Sequence, residues 1–270
     1  MSERRRDPDL AALVEKIARE HRFGFDAYKE SCLRRRVAVR MRVRGTATYE
    51  EYAELLDRDT NEYESLLDTL TINVTKFYRN RETWEALARY PLRDLLRSRG
   101  GQVCCWSAGC ASGEEPFTLA ILLFETAAHE RLTATAFQID ATDFDSDSLD
   151  RARRGEYGKA AFDEMPADLA RRYFSDGNVR VVDQRISGTV RFRRHDITRE
   201  PPPEPPYDLI MCRNVLIYFD RATQDRLVSQ FVEALRPGGY LVLGRAETIL
   251  GDLRERVKLE DPRERIYRRP

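Results

Sequence analysis

The fold is decided by residues 102–125, QVCCWSAGCASGEEPFTLAILLFE, which change character twice. A short apolar run at 103–107 predicts a buried strand, and the small residues at 108–113, with two glycines, predict a turn. Apolar residues then recur at helical spacing from Pro116 onward. A strand, a glycine turn and a helix N-terminus bring backbone N–H groups and the positive end of a helix dipole to one place. The stretch therefore predicts a nucleotide site.

The glycine turn reads G-C-A-S-G at 109–113 and differs from the dinucleotide fingerprint G-x-G-x-x-G. Each of the three glycines in that fingerprint has its own role, so the difference favours another adenosine cofactor. Ser112 and Glu115 also have the S-x-x-E spacing of a helix capping box. Glu115 therefore has a structural interpretation beside a ligand-binding one.

Composition excludes several classes of protein. Lys+Arg and Asp+Glu are 46 each, so no overall field draws the chain to nucleic acid or membrane. No apolar run approaches the roughly 20 residues that span a bilayer, and the N-terminus lacks the apolar core of a signal peptide. We expect a cytoplasmic protein without direct membrane insertion. The five cysteines lack the spacing of a zinc set, so we expect reduced packing residues and no metal.

The first part of the chain, to about residue 71, predicts four short helices. In the second, at about 27–44, Leu33, Val37 and Met41 share one face, and cationic residues cover the rest. Such a surface is either a solvated helix face or a docking surface for an acidic partner. Its density favours docking, and the lack of interleaved aromatic residues disfavours nucleic acid. The candidate docking residues are Arg34, Arg35, Arg36, Arg40, Arg42 and Arg44.

Strands alternate with helices after residue 102, which predicts a doubly wound sheet with right-handed crossovers. The second strand ends in acidic residues, and an acidic residue at this place reaches ribose hydroxyls in α/β folds. Asp143 has the best position, with Asp140 and Asp145 as competitors. Two alternating stretches around Ser187 and Gly188 predict a hairpin or a small insertion.

Polar residues cluster at two further places. Arg213 and Asn214 directly follow a buried strand at 209–212, as expected for a cleft at the carboxyl edge of a parallel sheet. The segment NVTKFYR at 73–79 crowds polar and aromatic residues before a helix. It serves either a ligand or the capping of that helix.

Five motifs carry a resemblance to a known family: NVTKFYR, WSAGCASGEEPFTLA, ATDFDSDSLDRARRGEY, MCRNVLIYFD and LRPGGYLVLGRAE. In this order and spacing, the chain resembles, over nearly its whole length, the CheR family of chemotaxis-type protein-glutamate O-methyltransferases. The resemblance implies a class I S-adenosylmethionine-dependent methyltransferase fold, an α/β Rossmann-like doubly wound sheet. It further implies an all-helical N-terminal domain at 1–75 and a methyltransferase domain at 76–270, with a small β-subdomain insertion at about 175–195.

The resemblance also implies the reaction. Family members transfer a methyl group from S-adenosylmethionine to glutamates on the helical cytoplasmic domain of a chemoreceptor, giving methyl esters and S-adenosylhomocysteine. We expect a monomer that partners this receptor domain and binds no nucleic acid. The loop FSDGN is short, so we expect receptor binding that does not depend on a C-terminal tethering peptide. Two competing interpretations are another methyl acceptor and a cofactor-binding scaffold without turnover.

Residue roles follow from the same resemblance. Arg79 and Tyr218 match the residues beside the transferred methyl group and its acceptor. Asp196 stands where the family usually has Asn, so we expect altered hydrogen bonding to adenine. The implied cofactor contacts are Asn73, Thr75, Arg79, Glu115, Asp143, Asp196, Ile197, Arg213 and Asn214, with Gly109 in the turn making room for the cofactor's methionine portion.

Overall fold

A computed structural model describes residues 7–21, 27–70 and 75–270. The chain divides into two compact units. The helical unit comprises Met1–Asn73 together with Tyr218–Thr223, and the sheet unit comprises Val74–Ile217 with Gln224–Pro270. No helix in the described ranges combines the length and the apolar character that crossing a membrane requires.

Between Asp7 and Leu70, the described residues of the helical unit form four helices: α1 (Pro8–His21), α2 (Glu30–Arg44), α3 (Tyr49–Arg58) and α4 (Thr60–Leu70). The predicted apolar face of α2 is confirmed, because Leu33, Val37 and Met41 are all buried. The helix ends at Gly45, whose φ of 73° lies in the left-handed region and whose N–H donates to the Met41 carbonyl. Glycine reaches this conformation without steric cost, which explains the C-cap.

A buried carboxylate connects three of these helices. Glu62 of α4 accepts hydrogen bonds from the Tyr52 hydroxyl at 2.7 Å and from Arg40 Nε at 2.9 Å. Its side chain is 1% exposed. Burial alone raises the pKa of Glu62, but the hydrogen bonds and charge of Arg40, with the hydrogen bond of Tyr52, outweigh it and hold the pKa below its ordinary value.

We expect Glu62→Gln to destabilise the helical unit by about 1–3 kcal/mol at neutral pH, because a neutral amide leaves the Arg40 charge unbalanced. A depressed folded-state pKa contributes stability above the unfolded pKa, and this contribution is lost as the pH falls through the folded pKa. The difference between variant and wild type should therefore shrink in acid. Urea unfolding of both proteins at neutral pH and at about pH 3 measures this difference in the free energy of unfolding. The exposed Glu54→Gln is the control, and an undiminished difference in acid contradicts the assignment.

The sheet unit alternates strands and helices. In chain order the remaining elements are α5 (Arg81–Arg89), α6 (Pro91–Ser98), β1 (Gln102–Ala108), α7 (Glu114–His129), β2 (Ala136–Asp143), α8 (Ser146–Arg154), β3 (Glu156–Gly158), α9 (Ala167–Tyr173), β4 (Val179–Val181), α10 (Gln184–Ser187), β5 (Val190–Arg194), β6 (Tyr207–Cys212), α11 (Arg221–Ala234), β7 (Leu235–Leu243), β8 (Lys258–Asp261) and β9 (Ile266–Arg268). Short 3-10 turns lie at Lys159–Phe162, Leu216–Tyr218 and Gly251–Arg256.

The main sheet has seven strands in the order β5-β2-β1-β6-β7-β9-β8. The first five are parallel, and β9 and β8 are antiparallel additions at one edge. The chain moves outward on one side of β1 through β2, then returns to the other side as β6. This change of direction is a topological switch point, where α/β proteins bind ligands at the carboxyl ends of the strands. The predicted doubly wound α/β fold is confirmed.

The predicted hairpin around Ser187 and Gly188 is wrong. β5 lies in the main sheet, parallel to β2, with Val190 opposite Ile139. β4 pairs instead with β3 in a separate two-stranded antiparallel sheet. The segment 175–195 is therefore not one inserted subdomain. An alternating pattern identifies a strand but not the strand with which it pairs. The short helix α10 lies between β4 and β5 and changes the direction of the chain.

Candidate cofactor and active site

The glycine turn after β1 packs tightly against the loop after β6. Gly109 has a φ of +81°, and its N–H donates to the Thr142 carbonyl at 2.8 Å. A Cβ at this position would lie 2.4 Å from Cγ2 of Val215. The position therefore requires glycine for both its conformation and its packing.

The helix after the turn begins differently from the predicted capping box. α7 starts at Glu114, and its N-cap is Gly113, without a side-chain capping bond. The Ser112 hydroxyl donates to the Glu114 carboxylate at 2.8 Å and does not accept from the Glu115 amide, as a capping box would require. The capping-box interpretation is therefore wrong, because the helix starts one residue later than it requires.

Glu115 instead turns toward the sheet. Its carboxylate accepts hydrogen bonds from Ser107 Oγ at 3.0 Å and from Arg213 Nη1 at 3.3 Å. Burial raises the pKa of Glu115, while the charge of Arg213 and the Ser107 hydrogen bond oppose the rise. This carboxylate joins the ends of β1 and β6 at the switch point.

Arg213 is the centre of this network. It is 6% exposed, and its Nη2 donates to the Arg79 carbonyl at 2.9 Å and to Asn80 Oδ1 at 3.2 Å. Its guanidinium lies 5.3 Å from the centroid of the Trp84 ring. Burial lowers the pKa of Arg213, and the charge of Glu115 counteracts this. Arginine remains protonated at ordinary pH, so Arg213 is a buried cation tied to three segments.

The segment before α5 is held through its backbone. The Arg79 carbonyl also accepts from Trp84 Nε1 at 3.1 Å. The charge of the Arg79 side chain lowers the pKa of both Glu115 and Arg213, so it belongs to the same electrostatic cluster. Thr75 is half-buried at the start of the described segment. Asn73 lies outside the described residues.

The three candidate carboxylates near the end of β2 have distinct roles. Asp143 accepts from the Ala111 amide at 2.8 Å and from the Asp145 amide at 3.0 Å. Asp140 is buried against the Tyr207 hydroxyl at 2.9 Å, and Asp145 caps α8. Asp143 is therefore the one of the three that contacts the glycine turn. Burial raises the pKa of its carboxyl group.

Asp196 and Ile197 lie beside this strand end. The His195 amide donates to the Asp143 carbonyl at 2.9 Å, which brings the end of β5 next to the end of β2. Asp196 Oδ1 accepts from the Thr198 amide at 2.9 Å and from the Thr198 hydroxyl at 2.6 Å. Ile197 is buried. One carboxylate oxygen of Asp196 is thus engaged in a local turn.

Glu247 is a site residue that sequence reasoning missed. It is 5% exposed and follows β7. Its carboxylate accepts from the backbone amides of Gly244 at 2.5 Å, Asn214 at 3.1 Å and Ile217 at 3.2 Å. It therefore fixes the loop that carries Arg213 and Asn214. Its sequence signal was a polar residue soon after the apolar strand YLVLG, the same signal that identified Arg213.

Backbone strain is concentrated around this site. Six non-glycine residues in the described ranges have positive φ. Four of them lie in the loops described above, namely Tyr78, Asn80, Ala111 and Asn214. Such conformations cost free energy and cluster at ligand sites and active sites.

The structure separates the six candidate docking arginines. Arg34, Arg35, Arg42 and Arg44 are exposed, and Arg40 is half-buried against Glu62. Arg34 pairs with Asp7 and Glu30, and Arg44 pairs with Asp59. Arg35 and Arg42 have no ion pair within the described part of the chain. The prediction of Arg36 as a docking residue is wrong, because it is only 5% exposed.

Tyr218 lies in the helical unit, and its ring stacks on that same Arg36, with 4.7 Å between the guanidinium carbon and the ring centroid. The sheet unit thus assembles Arg79, Gly109, Glu115, Asp143, Asp196, Ile197, Arg213 and Asn214 around the strand ends.

The mostly parallel sheet, the glycine turn and the carboxylates at its switch point define a class I S-adenosylmethionine-dependent methyltransferase fold. The family model "CheR methyltransferase, SAM binding domain" matches residues 73–265, and "CheR methyltransferase, all-alpha domain" matches residues 8–71. The chain belongs to the CheR methyltransferase family, and its cofactor is S-adenosylmethionine.

Several relatives resemble the chain over most of its length. It is 33% identical over 246 residues to a chemotaxis protein methyltransferase of Listeria monocytogenes, covering 90% of this chain and 91% of that protein. It is 32% identical over 249 residues to chemotaxis protein methyltransferase 2 of Pseudomonas aeruginosa, covering 90% and 87%. It is also 34% identical over 245 residues to an uncharacterized 104.1 kDa protein of Rhodobacter capsulatus. That match covers 89% of this chain and 25% of that protein.

The residues around the strand ends fit this cofactor. The Gly109 turn presents backbone without side-chain bulk, and the buried Asp143 carboxylate is an acceptor for hydroxyl donors. Arg79, Glu115 and Arg213 provide both signs of charge, as a zwitterionic methionine group requires.

Proposed function

We propose that this protein transfers methyl groups from S-adenosylmethionine to glutamate side chains in the cytoplasmic helical domain of a chemoreceptor. The observation that carries the proposal is the buried Arg213–Glu115 pair that fixes the Arg79 backbone at the switch point. The relatives named as chemotaxis protein methyltransferases support the pathway. The expected products are glutamate methyl esters and S-adenosylhomocysteine.

We assign cofactor binding to the residues around the strand ends. Asp143 would hold the ribose hydroxyls, and Asp196 with Ile197 would line the adenine. Gly109, Glu115, Arg213 and Asn214 would surround the methionine portion, with Asn73 and Thr75 from the segment before α5. Bound S-adenosylmethionine supplies an electrophilic methyl group.

The acceptor chemistry needs no general base. A free glutamate has a pKa near about 4.3, so at neutral pH it is already the nucleophilic carboxylate. Catalysis therefore depends on orientation and on exclusion of water. Arg79 would hold the carboxylate by charge-assisted hydrogen bonds, and Tyr218 would orient the attacking oxygen.

The exposed face of α2 supports a helical, acidic partner. Arg35 and Arg42 are exposed cations without an ion pair in the described ranges. Val39 and Val43, which lie on the same face, are 45% and 64% exposed. Residues at these spacings form one stripe on a helix. An amphipathic acidic helix complements this stripe in both charge and apolar contact.

We expect label from tritiated S-adenosylmethionine to enter receptor cytoplasmic fragments and to be released as methanol by mild alkali. Methyl esters hydrolyse under these conditions, whereas N-methyl groups do not. Fragments with the candidate glutamates replaced by Gln are the control. Alkali-stable label, or equal labelling of the control fragments, would contradict a glutamate acceptor. Labelling of RNA that falls steeply with salt would favour a nucleic-acid substrate.

A further inference from the structure

The tyrosine assigned to the acceptor is bound into the helical unit through its own backbone. The Lys29 amide donates to the Tyr218 carbonyl, and the Asp220 amide donates to the Ala27 carbonyl, both at 2.9 Å. Between them, Tyr28 and Phe219 form an antiparallel bridge, with ring centroids 5.0 Å apart in an edge-on contact. The residues before α2 therefore fix the main chain of Tyr218.

Arg36 of α2 fixes the ring. Its guanidinium carbon lies 4.7 Å from the centroid of the Tyr218 ring, within the range of a cation–π contact. Its Nη1 donates to the Thr69 carbonyl at 2.9 Å and to the Leu70 carbonyl. The end of α4 thus holds the guanidinium on one side, and the face of Tyr218 lies against it.

Arg36 is poorly explained as a stabilising residue. Its Nε and Nη2 atoms are buried, and neither has a hydrogen-bond partner in the described ranges. No carboxylate in those ranges forms an ion pair with it. A buried cation with unsatisfied donors costs stability. Stability alone therefore does not explain why an arginine occupies this position.

We propose that Arg36 is a positioning residue that orients the Tyr218 ring for methyl transfer. The inference rests on the proposed function, because it takes Tyr218 as the residue that contacts the acceptor. It gives α2 two roles, one on its exposed stripe and one at a buried position beside that stripe. The exposed stripe that includes Arg35 and Arg42 binds the partner. The buried Arg36 orients the ring of Tyr218.

The test is a double-mutant cycle of Arg36→Met with Tyr218→Leu. We expect Arg36→Met to lower kcat about 10–100-fold, because a small displacement of an orienting group costs up to about that much. The KM for S-adenosylmethionine and the affinity for S-adenosylhomocysteine should remain within about twofold of wild type. In the Tyr218→Leu background, Arg36→Met should have little further effect, because Arg36 acts through the tyrosine.

The matched control is Tyr52→Phe, which removes a buried hydrogen bond from the same helical unit without involving Tyr218. It should lower the melting temperature while leaving kcat unchanged. If Arg36→Met does not fold, Arg36→Lys replaces it in the same cycle. Equal losses from the Arg36 substitution in both Tyr218 backgrounds, or an unchanged kcat in Arg36→Met, would overturn the proposal.

A second readout does not depend on the acceptor. The ring signals of Tyr218 are assigned in ¹³C-tyrosine NMR spectra by their loss in Tyr218→Phe. We expect Arg36→Met to shift them and Tyr52→Phe to leave them in place. Unshifted signals refute the positioning role. Shifted signals in an enzyme that labels no glutamate support positioning but refute the proposed acceptor.

Discussion

Replacing Arg79 by alanine is expected to lower kcat/KM for methyl transfer by about 10²–10³-fold, the usual effect of removing one preorganised hydrogen-bond donor at the reacting atoms. Acceptor carboxylates carry negative charge until the ester forms, so a fixed cation beside them aids orientation. The Arg79 side chain belongs to the charge cluster of Glu115 and Arg213. Single-turnover labelling at saturating S-adenosylmethionine measures the effect.

The fold should survive this substitution because alanine keeps the Arg79 backbone, which accepts two hydrogen bonds from other segments. Its carbonyl accepts from Arg213 and Trp84, and alanine keeps that carbonyl. The melting temperature should therefore change little. Removing the side-chain charge should also raise the pKa of Glu115 further, because Arg79 currently helps to lower it.

The matched control is Arg81→Ala, two residues away. Arg81 is exposed and pairs with Glu85 on α5. Surface pairs of this kind contribute about 0–1 kcal/mol, so both activity and stability should stay near wild type. Equal losses from Arg79→Ala and Arg81→Ala would show a general charge effect and would refute the catalytic assignment.

Glu247→Gln is expected to destabilise the sheet unit by about 2–4 kcal/mol and to weaken cofactor binding. Both oxygens of Glu247 accept from backbone amides. Glutamine has nearly the same shape but turns one of these acceptors into a donor that faces N–H groups. Burial raises the pKa of Glu247, although the hydrogen bonds from Gly244, Asn214 and Ile217 act in the opposite direction.

The same substitution at an exposed glutamate isolates the effect of burial. Glu233→Gln on α11 removes the charge of a surface pair with Arg256, keeps an oxygen that can accept from Ser229, and should change the free energy of unfolding by less than about 0.5 kcal/mol. Urea unfolding and calorimetric titration with S-adenosylhomocysteine measure both variants. Comparable stabilities for Glu247→Gln and Glu233→Gln would contradict a clamping role for Glu247.

Sequence patterns predicted the fold class because they are local. The strand–turn–helix change at 102–125 and the polar residues after β6 each report a periodicity or a boundary within a few residues. The same reasoning misassigned β5, because strand partners depend on the course of the chain and not on alternation. It also left two interpretations of Glu115 open, since a capping box and an inward-facing carboxylate have the same spacing.

Individual side chains were harder to predict than elements. The basic character of α2 was evident, yet Arg36 faces inward while Arg35 faces solvent, because a helix turns by about 100° per residue. The part played by Glu247 depends on three amides, two of them from a loop about thirty residues earlier in the chain. Local sequence periodicity does not reveal partners that are so far apart in the chain.

The helical unit is discontinuous in sequence, since Tyr218–Thr223 completes it. During synthesis the ribosome releases residues 1–73 long before this segment exists, so the residues at 27–29 have no bridge partner until the chain has passed Asp220. Final ordering of the helical unit must therefore wait for most of the sheet unit to be translated. A graft of residues 1–73 onto another methyltransferase would lack this segment and should order fully only when 218–223 is supplied with it.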